Sequence, residues 1–329
     1  MILDGQDPAA VLSAAQALAR GELVGLPTET VYGLAADAGS DAAVARIFSA
    51  KGRPSDHPLI VHVAGVEGVN AFAHDVPAFA QRLIQAFWPG PLTLILPRRP
   101  EAGAAAAAGQ DSVGLRCPSH PVAHALLKAC EALGVHGLAA PSANLFGRVS
   151  PTTAAHVQGE FGDGLLVLDG GACEVGIEST IVDCTRGAPV LLRPGGVTRE
   201  QIEAACGQPL RTREELASPD PRASGTLEAH YAPQAKVRLM EAQALQTALD
   251  VLGPQASAVA VYARSPLRTP APGVLLRPMP AQAEDAAREL FAALRGFDEA
   301  GVKLIWVETP PATPAWEGVR DRLQRAAAA

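Results

Sequence analysis

Long apolar runs are absent from this chain: no stretch of its 329 residues comes near the ~18 that a membrane helix needs. Its start, MILDGQDPAAV, shows no basic segment followed by an apolar one, so no signal peptide is expected. Aromatic residues are scarce, at 4%, and a core therefore has to be built from Ala, Val, Leu and Ile. The five cysteines (Cys117, Cys130, Cys173, Cys184, Cys206) are odd in number and include no CxxC pair. That argues against a disulfide framework and against a structural zinc, and points to buried thiols in a reducing cytoplasm. The pair Gly-Lys never occurs, which removes GxxxxGK[ST]. GxGxxG after a strand, HExxH and GxSxG are missing as well. The common phosphate, dinucleotide, zinc-protease and hydrolase sites are thereby excluded.

What is present is globular. Apolar residues make up 48% and charged residues 19%, which excludes disorder along the whole chain. The 31 glycines follow no three-residue period, so collagen is excluded. Net charge is −7, but unevenly placed: residues 1–207 carry 13 Lys+Arg against 20 Asp+Glu, and residues 208–329 carry 14 against 14. An acidic domain is a poor general binder of nucleic acid.

The alternation of apolar segments predicts an α/β protein. A catalytic domain spans 1–206, a linker rich in Gly, Pro, Ser and charge covers 207–235, and a small α/β domain with a Rossmann-like alternation occupies 236–329. Asp7-Pro8 reads as a helix start, with Val11, Leu12, Ala15 and Leu18 at helical spacing. Ser40 caps a second helix that Gly52 and Pro54 end. Ser150-Pro151 and Thr198 open two more, with Thr198 and Gln201 fitting a capping box. Strands are expected at 21–26, 58–63, 92–96, 112–116, 136–140, 164–168, 179–183 and 189–193.

Four segments place polar or cationic residues at the ends of these elements. PTETVYGLAAD (27–37) follows a strand and reads as hydroxyls and a carboxylate for a small polar ligand, or as a turn and helix cap. Lys51 and Arg53 leave a helix C-terminus on a chain stiffened by Gly52 and Pro54, with His57 and His62 close by; two cations on a stiff turn suit a phosphate. Ser142 and Asn144 lie in APSAN (140–144), with Ser150 a short loop later. Arg193 and Arg116 close strands, Arg193 beside Pro194-Gly195-Gly196. All four cations read as exposed element ends. In open α/β sheets ligands gather at strand ends, so these cations in an acidic domain suit a compact polyanion such as a nucleoside triphosphate.

PTETVYGL, K-x-R-P with PLIVH, W-P-G-P-L-T, L-R-x-P, A-P-S-A-N, G-x-E-S-T-I-V-D and L-L-R-P-G occur in this order over roughly 10–205. Together they resemble the threonylcarbamoyl-AMP synthase family, whose catalytic unit is a YrdC-like domain. HYAP (230–233), ALRGFDEAGVKLIWVE and VRDRLQRAA resemble the linker end and C-terminal domain of its long, two-domain form. Residues 223–229 depart from the family's usual linker, lacking its proline, methionine and basic residue.

The resemblance implies a twisted α/β sheet domain followed by a Rossmann-like one. It also implies a reaction: L-threonine, bicarbonate or CO2, and ATP give threonylcarbamoyl-AMP and pyrophosphate, and other proteins pass the threonylcarbamoyl group to tRNA. Implied ATP contacts are Lys51, Arg53, His57, Ser112, Ser142, Asn144, Ser150, Arg193 and Tyr231. Implied threonine contacts are Thr30, His62, Arg116, Ala140 through its backbone, and Ser179. No residue serves as a nucleophile, and Lys51 and Arg53 act electrostatically, with Mg2+ accompanying ATP. The implied setting is cytoplasmic, without a membrane, an organic cofactor or constitutive nucleic-acid binding. A related carbamoyltransferase and an RNA-binding module are the alternatives; the missing CxxC weighs against the first and the acidic charge against the second.

Overall fold

A computed structural model describes residues 1–212, 215, 230–253, 257–268 and 271–329. Most of the expected linker, including its unusual 223–229 stretch, lies outside the described residues. The chain divides into two compact units. One contains Met1–Phe146 and the described residues from Ser150 to Glu215; the other contains Gly147–Val149 and the described residues from His230 on.

The first unit runs β1 (Ile2–Asp4), α1 (Pro8–Ala19), β2 (Val24–Leu26), β3 (Gly33–Asp37), α2 (Asp41–Lys51), β4 (Ile60–His62), α3 (Val69–Phe72), α4 (Ala78–Phe87) and β5 (Leu92–Pro97). It continues with β6 (Ser112–Arg116), α5 (Pro121–Ala132), β7 (Leu138–Ala139), α6 (Ala154–Phe161), β8 (Leu166–Asp169), β9 (Thr180–Asp183), β10 (Val190–Arg193) and α7 (Arg199–Cys206). Ten strands form one mixed sheet in the order β1-β8-β2-β3-β7-β4-β6-β5-β9-β10.

Local chemistry explains the helix ends. Asp7 accepts from the Ala9 N–H at 2.9 Å, with Pro8 at the first helical position where its missing N–H costs nothing. The buried side of α1 is Val11, Ala14, Ala15 and Leu18, while Leu12 is 49% exposed: it stands about 100° round the helix from Val11, off the stripe. The capping box forms, Thr198 N–H donating to Gln201 Oε1 and Gln201 N–H to Thr198 Oγ1. Ser150 does not open a helix; Thr153 caps α6 instead, and Ser150 turns to a different task.

GLAAD (33–37), read as the continuation of a turn and helix cap, is a strand. It pairs antiparallel with β2 and β7, and this pairing satisfies its backbone where local propensity alone would not. Separate cores, poor in aromatics, hold the sheet, and two of them are large. One gathers α1 and α5 with Val24, Leu26 and Leu138; the other gathers α2, α4 and α7 with Leu94, Val113 and Leu115. Beyond α7 the chain stays with this unit: Leu210 is buried, and Arg211 exchanges backbone hydrogen bonds with Pro189 and Leu191.

The second unit is β11 (Lys236–Met240), α8 (Ala242–Leu252), β12 (Val259–Ala263), β13 (Leu275–Pro278), α9 (Ala283–Glu299), β14 (Leu304–Glu308) and α10 (Glu317–Ala327). Its four strands are all parallel, in the order β11-β14-β12-β13. Parallel strands need crossovers: α8 carries the chain from β11 to β12 and α9 from β13 to β14, while residues 264–274 join β12 to its neighbour β13. Among the described residues no helix is long and apolar enough to cross a membrane.

Candidate active site

Strand ends of the first unit gather the polar residues. Where β2 ends, the Thr28 hydroxyl donates to the Val31 carbonyl at 2.6 Å and so has no proton left for Thr30, 2.9 Å away. The Thr30 hydroxyl therefore donates to Thr28 and accepts from Arg116 Nη1 at 2.8 Å. Arg116, last residue of β6, also donates from Nε to the Gly90 carbonyl at 3.3 Å, and its Nη2 lies 2.7 Å from Glu29 Oε1. Both side chains of this ion pair are 4% exposed. Burial opposes ionisation of Glu29, but Arg116 and the backbone N–H groups of Glu29 and Ser119 outweigh it and hold the carboxyl below its usual range. His62 stands opposite Arg116 in the β4–β6 register. Burial, then the charge of Arg116, pushes its pKa down to about 3, so the ring is neutral.

Lys51 closes α2 where Gly52, at φ 62°, turns the chain left-handed. Its ammonium donates to the Ser142 carbonyl at 2.6 Å and to the Asn144 carbonyl. Burial, then the neighbouring Arg53 charge, lowers its pKa to about 7. Arg53 donates to the Pro58 carbonyl at 3.0 Å and lies 5.8 Å from the centre of the Phe146 ring, which His57 meets edge-on at 5.5 Å. Ser150 donates to Glu178. Arg193 donates from Nε and Nη2 to the Ser179 carbonyl at 3.1 and 2.9 Å, and the Ser179 hydroxyl is 2.8 Å from that of Thr93. Gly195 permits this packing, since a Cβ there would fall on Thr180 N and within 2.7 Å of the Glu178 carbonyl.

These cations are not exposed element ends. Lys51, Arg53, Arg116 and Arg193 are 2%, 8%, 4% and 2% exposed. Burial is possible because the carbonyls of Ser142, Asn144, Pro58, Gly90 and Ser179 receive their N–H groups in place of water.

Comparison with known proteins settles the family. The family model described as "Telomere recombination" matches residues 16–195, and the one described as "Threonylcarbamoyl-AMP synthase, C-terminal domain" matches 197–328. A Bacillus subtilis protein named threonylcarbamoyl-AMP synthase is 40% identical over 99% of this chain and 94% of its own length. Its Pyrococcus abyssi namesake is 38% identical over 95% and 92%. The crystal structure of P. abyssi Sua5 complexed with L-threonine superimposes with a TM-score of 0.90 at 35% identity, covering 99% of this chain and 97% of that one. The chain belongs to the threonylcarbamoyl-AMP synthase family.

Within a threonylcarbamoyl-AMP synthase fold, the residues anticipated as contacts fall into connected groups: Thr30, His62 and Arg116; Lys51, Ser142 and Asn144; Arg53 and His57; Ser179 and Arg193. Ala140 follows β7 and spends its N–H on the Ile60 carbonyl at 3.0 Å. Ser112 begins β6, four residues and roughly 13 Å along the strand from Arg116, and no hydrogen bond joins it to the other candidates among the described residues. Tyr231 belongs to the second unit: its ring stacks on Phe291 of α9 with centroids 5.5 Å apart, and the Arg322 guanidinium lies 5.2 Å from its centre.

The sequence marks Glu29 as the carboxylate of PTET, but does not single out Thr93, Glu178 or Phe146. Glu178 sits inside GIEST and Thr93 closes W-P-G-P-L-T, and an acidic residue within a run of polar strand-end residues is the signal that marks Glu178. Phe146 carries no such signal. Burial raises Cys117 to about 11 and Cys173 to about 12, which leaves both as thiols and removes them as nucleophiles.

Proposed function

We propose that these strand ends bind ATP and L-threonine in the residue-by-residue manner the motifs imply. The chain is an L-threonylcarbamoyladenylate synthase, a nucleotidyltransferase acting in tRNA modification. Its reaction takes L-threonine, bicarbonate or CO2, and ATP to threonylcarbamoyl-AMP and pyrophosphate. The threonine ammonium first loses a proton to solvent; the lone pair so freed bonds to the carbon of CO2, and the nitrogen releases a second proton to leave a carbamate. An oxygen of that carbamate attacks the α-phosphorus as the bond from that phosphorus to the bridging oxygen breaks, and pyrophosphate leaves with that electron pair.

The observation that carries the site assignment is the buried Lys51 ammonium, oriented by two backbone carbonyls. A carbonyl aims a cation without cancelling its charge, so the charge remains to meet a phosphate. Lys51, Arg53 and Arg193 then offset the triphosphate, with Ser112, Ser142, Asn144 and Ser150 as neutral partners. His57 completes the ATP set of this unit. Arg116 receives the threonine carboxylate; Thr30, neutral His62, Ser179 and the Ala140 carbonyl surround the rest. No step uses a side-chain nucleophile: positioning and charge neutralisation lower the barrier, and a water-poor site protects the labile carbamate.

Mg2+, brought in with ATP, would add to the charge neutralisation that Lys51, Arg53 and Arg193 supply at the triphosphate. The product passes to separate tRNA-modifying proteins, and the work is placed in the cytoplasm, where ATP, threonine and tRNA meet.

The deciding experiment supplies ATP, Mg2+, L-threonine and bicarbonate and follows pyrophosphate release together with the mass of the product. Threonylcarbamoyl-AMP that requires both threonine and bicarbonate is expected. Pyrophosphate release indifferent to either would overturn the function.

A further inference from the structure

We propose that Glu29 receives the threonine ammonium, so that the buried Glu29–Arg116 pair forms a receptor for the two opposite charges of an amino-acid zwitterion. This rests on the reading that Arg116 holds the threonine carboxylate.

Glu29 is 3% exposed, and both its carboxylate oxygens are shielded from water. Arg116 Nη2 lies 2.7 Å from its Oε1 and the backbone N–H groups of Glu29 and Ser119 act on the carboxylate as well, yet neither oxygen receives a hydrogen bond of full geometry among the described residues. A buried carboxylate that is acceptor-only and short of donors carries a desolvation cost which a ligand's N–H groups would relieve. The cation it faces is already engaged elsewhere: Arg116 points Nε at Gly90 and Nη1 at Thr30. Arg116 is thus held in place from three directions while Glu29 keeps acceptor capacity in reserve. His62, Cys117 and Cys173 also feel the Glu29 charge; burial keeps the His62 ring neutral, so it does not compete as a cation, and keeps both thiols protonated, so they add no negative charge.

The pair also balances charge. A lone buried arginine would favour any small carboxylate. A carboxylate beside it adds a preference for a ligand that brings its own positive charge, which separates an amino acid from the matching hydroxy acid. Glu29, held ionised below the usual carboxylate range, is a weak base, so its task is holding the ammonium rather than removing its proton.

Calorimetry on the full chain tests this with two probes, L-threonine and 2,3-dihydroxybutyrate, which keeps the carboxylate and the side-chain hydroxyl but carries a hydroxyl in place of the ammonium. The parent should bind threonine at least about tenfold more tightly, the scale of one charge-assisted hydrogen bond. Glu29→Gln should weaken threonine by about that factor and leave the hydroxy acid nearly unchanged. Equal weakening of both probes would show that Glu29 merely props up Arg116, and an unchanged threonine affinity would show that it does neither; each overturns the proposal. If Glu29→Gln does not fold, the parent alone decides, since the absence of any preference for threonine over the hydroxy acid is fatal. Arg116→Gln separates this proposal from the reading beneath it. Loss of both probes there supports the carboxylate assignment, whereas unchanged binding of both removes the threonine site and this proposal with it.

Discussion

Buried cations of the first unit lean on backbone carbonyls as well as on a carboxylate, as in the Glu29–Arg116 pair, whereas those of the second unit meet carboxylates. In the second, Glu308 at the end of β14 accepts from the N–H groups of Arg264 and Ser265, both at 2.7 Å, from the Ser265 hydroxyl at 3.0 Å, and from the Arg264 guanidinium at 2.9 Å. Arg264 in turn lies 5.4 Å from the centre of the Trp316 ring. Fully buried Arg322 meets Asp321 at 2.8 Å. Positive meets negative, and the Glu308 contacts fasten the loop after β12 to the end of β14. In the first unit Lys51, Arg53 and Arg193 also donate to backbone carbonyls, which fix their direction. A carboxylate partner offsets much of a buried cation's charge, whereas a carbonyl mainly sets where it points.

The sharpest way to break this contrast is Lys51→Met. Activity should fall at least about tenfold, the loss of one strong ionic contact. Stability at pH 7 should hold to within ~1 kcal/mol, because two lost hydrogen bonds are offset by removing an amine that is costly to bury. Pyrophosphate release and thermal melting together check it; a large melting loss with activity intact would make Lys51 a scaffold residue.

Next in size is Glu308→Gln. Removing the charge that four donors share should cost ~1–3 kcal/mol of stability, while turnover per folded molecule stays within about twofold. A tenfold fall in kcat with unchanged melting would place catalytic weight in the second unit.

A pH series sharpens the contrast further. The Lys51 pKa of about 7 lies below that of the unfolded residue, about 10.5. Between those values the unfolded chain binds the extra proton, so this group's contribution to stability rises with pH from about 7 and the cost of burying its charge is fully present below that. Parent stability relative to Lys51→Met should climb from pH 7 to pH 9. The charged form is the one that meets phosphate, so kcat/KM for ATP should fall as pH rises through about 7, and bound triphosphate should carry the kcat profile to higher pH. Parallel, flat profiles for the parent and Lys51→Met would remove Lys51 from nucleotide binding.

The smallest effect belongs to Val251→Asp. Val251 on α8 is 81% exposed, so melting should move by no more than ~0.5 kcal/mol and activity should not change.

Much of the candidate site was legible as a set of motifs because its residues travel in short runs. PTET, K-x-R-P, APSAN and GIEST each carry their own turn chemistry, and the helix signals at Asp7, Ser40 and Thr198 operate over three residues. Legibility failed wherever the partner was distant. Cations at element ends read as solvated, because nothing near Lys51 in the chain announces that its acceptor is a carbonyl 91 residues away. Ser150 read as a helix opener by its neighbour Pro151, but Thr153 performs that role and Glu178 claims the Ser150 hydroxyl.

The kinds of groups at the site, their order along the chain and the turns that present them were determined by the sequence itself, since glycine, proline and capping residues act on backbone within a few bonds. Which groups meet was decided only by tertiary structure. The β4–β6 register sets His62 opposite Arg116, and β3 exists as a strand because β2 and β7 lie on either side of it. Folding of residues from separate segments puts Glu29 against Arg116 and the Ser179 carbonyl against Arg193. Composition names a charge, but the water excluded around it and the dipoles turned toward it exist only once distant segments have packed, and those set whether that charge binds a neighbour or a substrate.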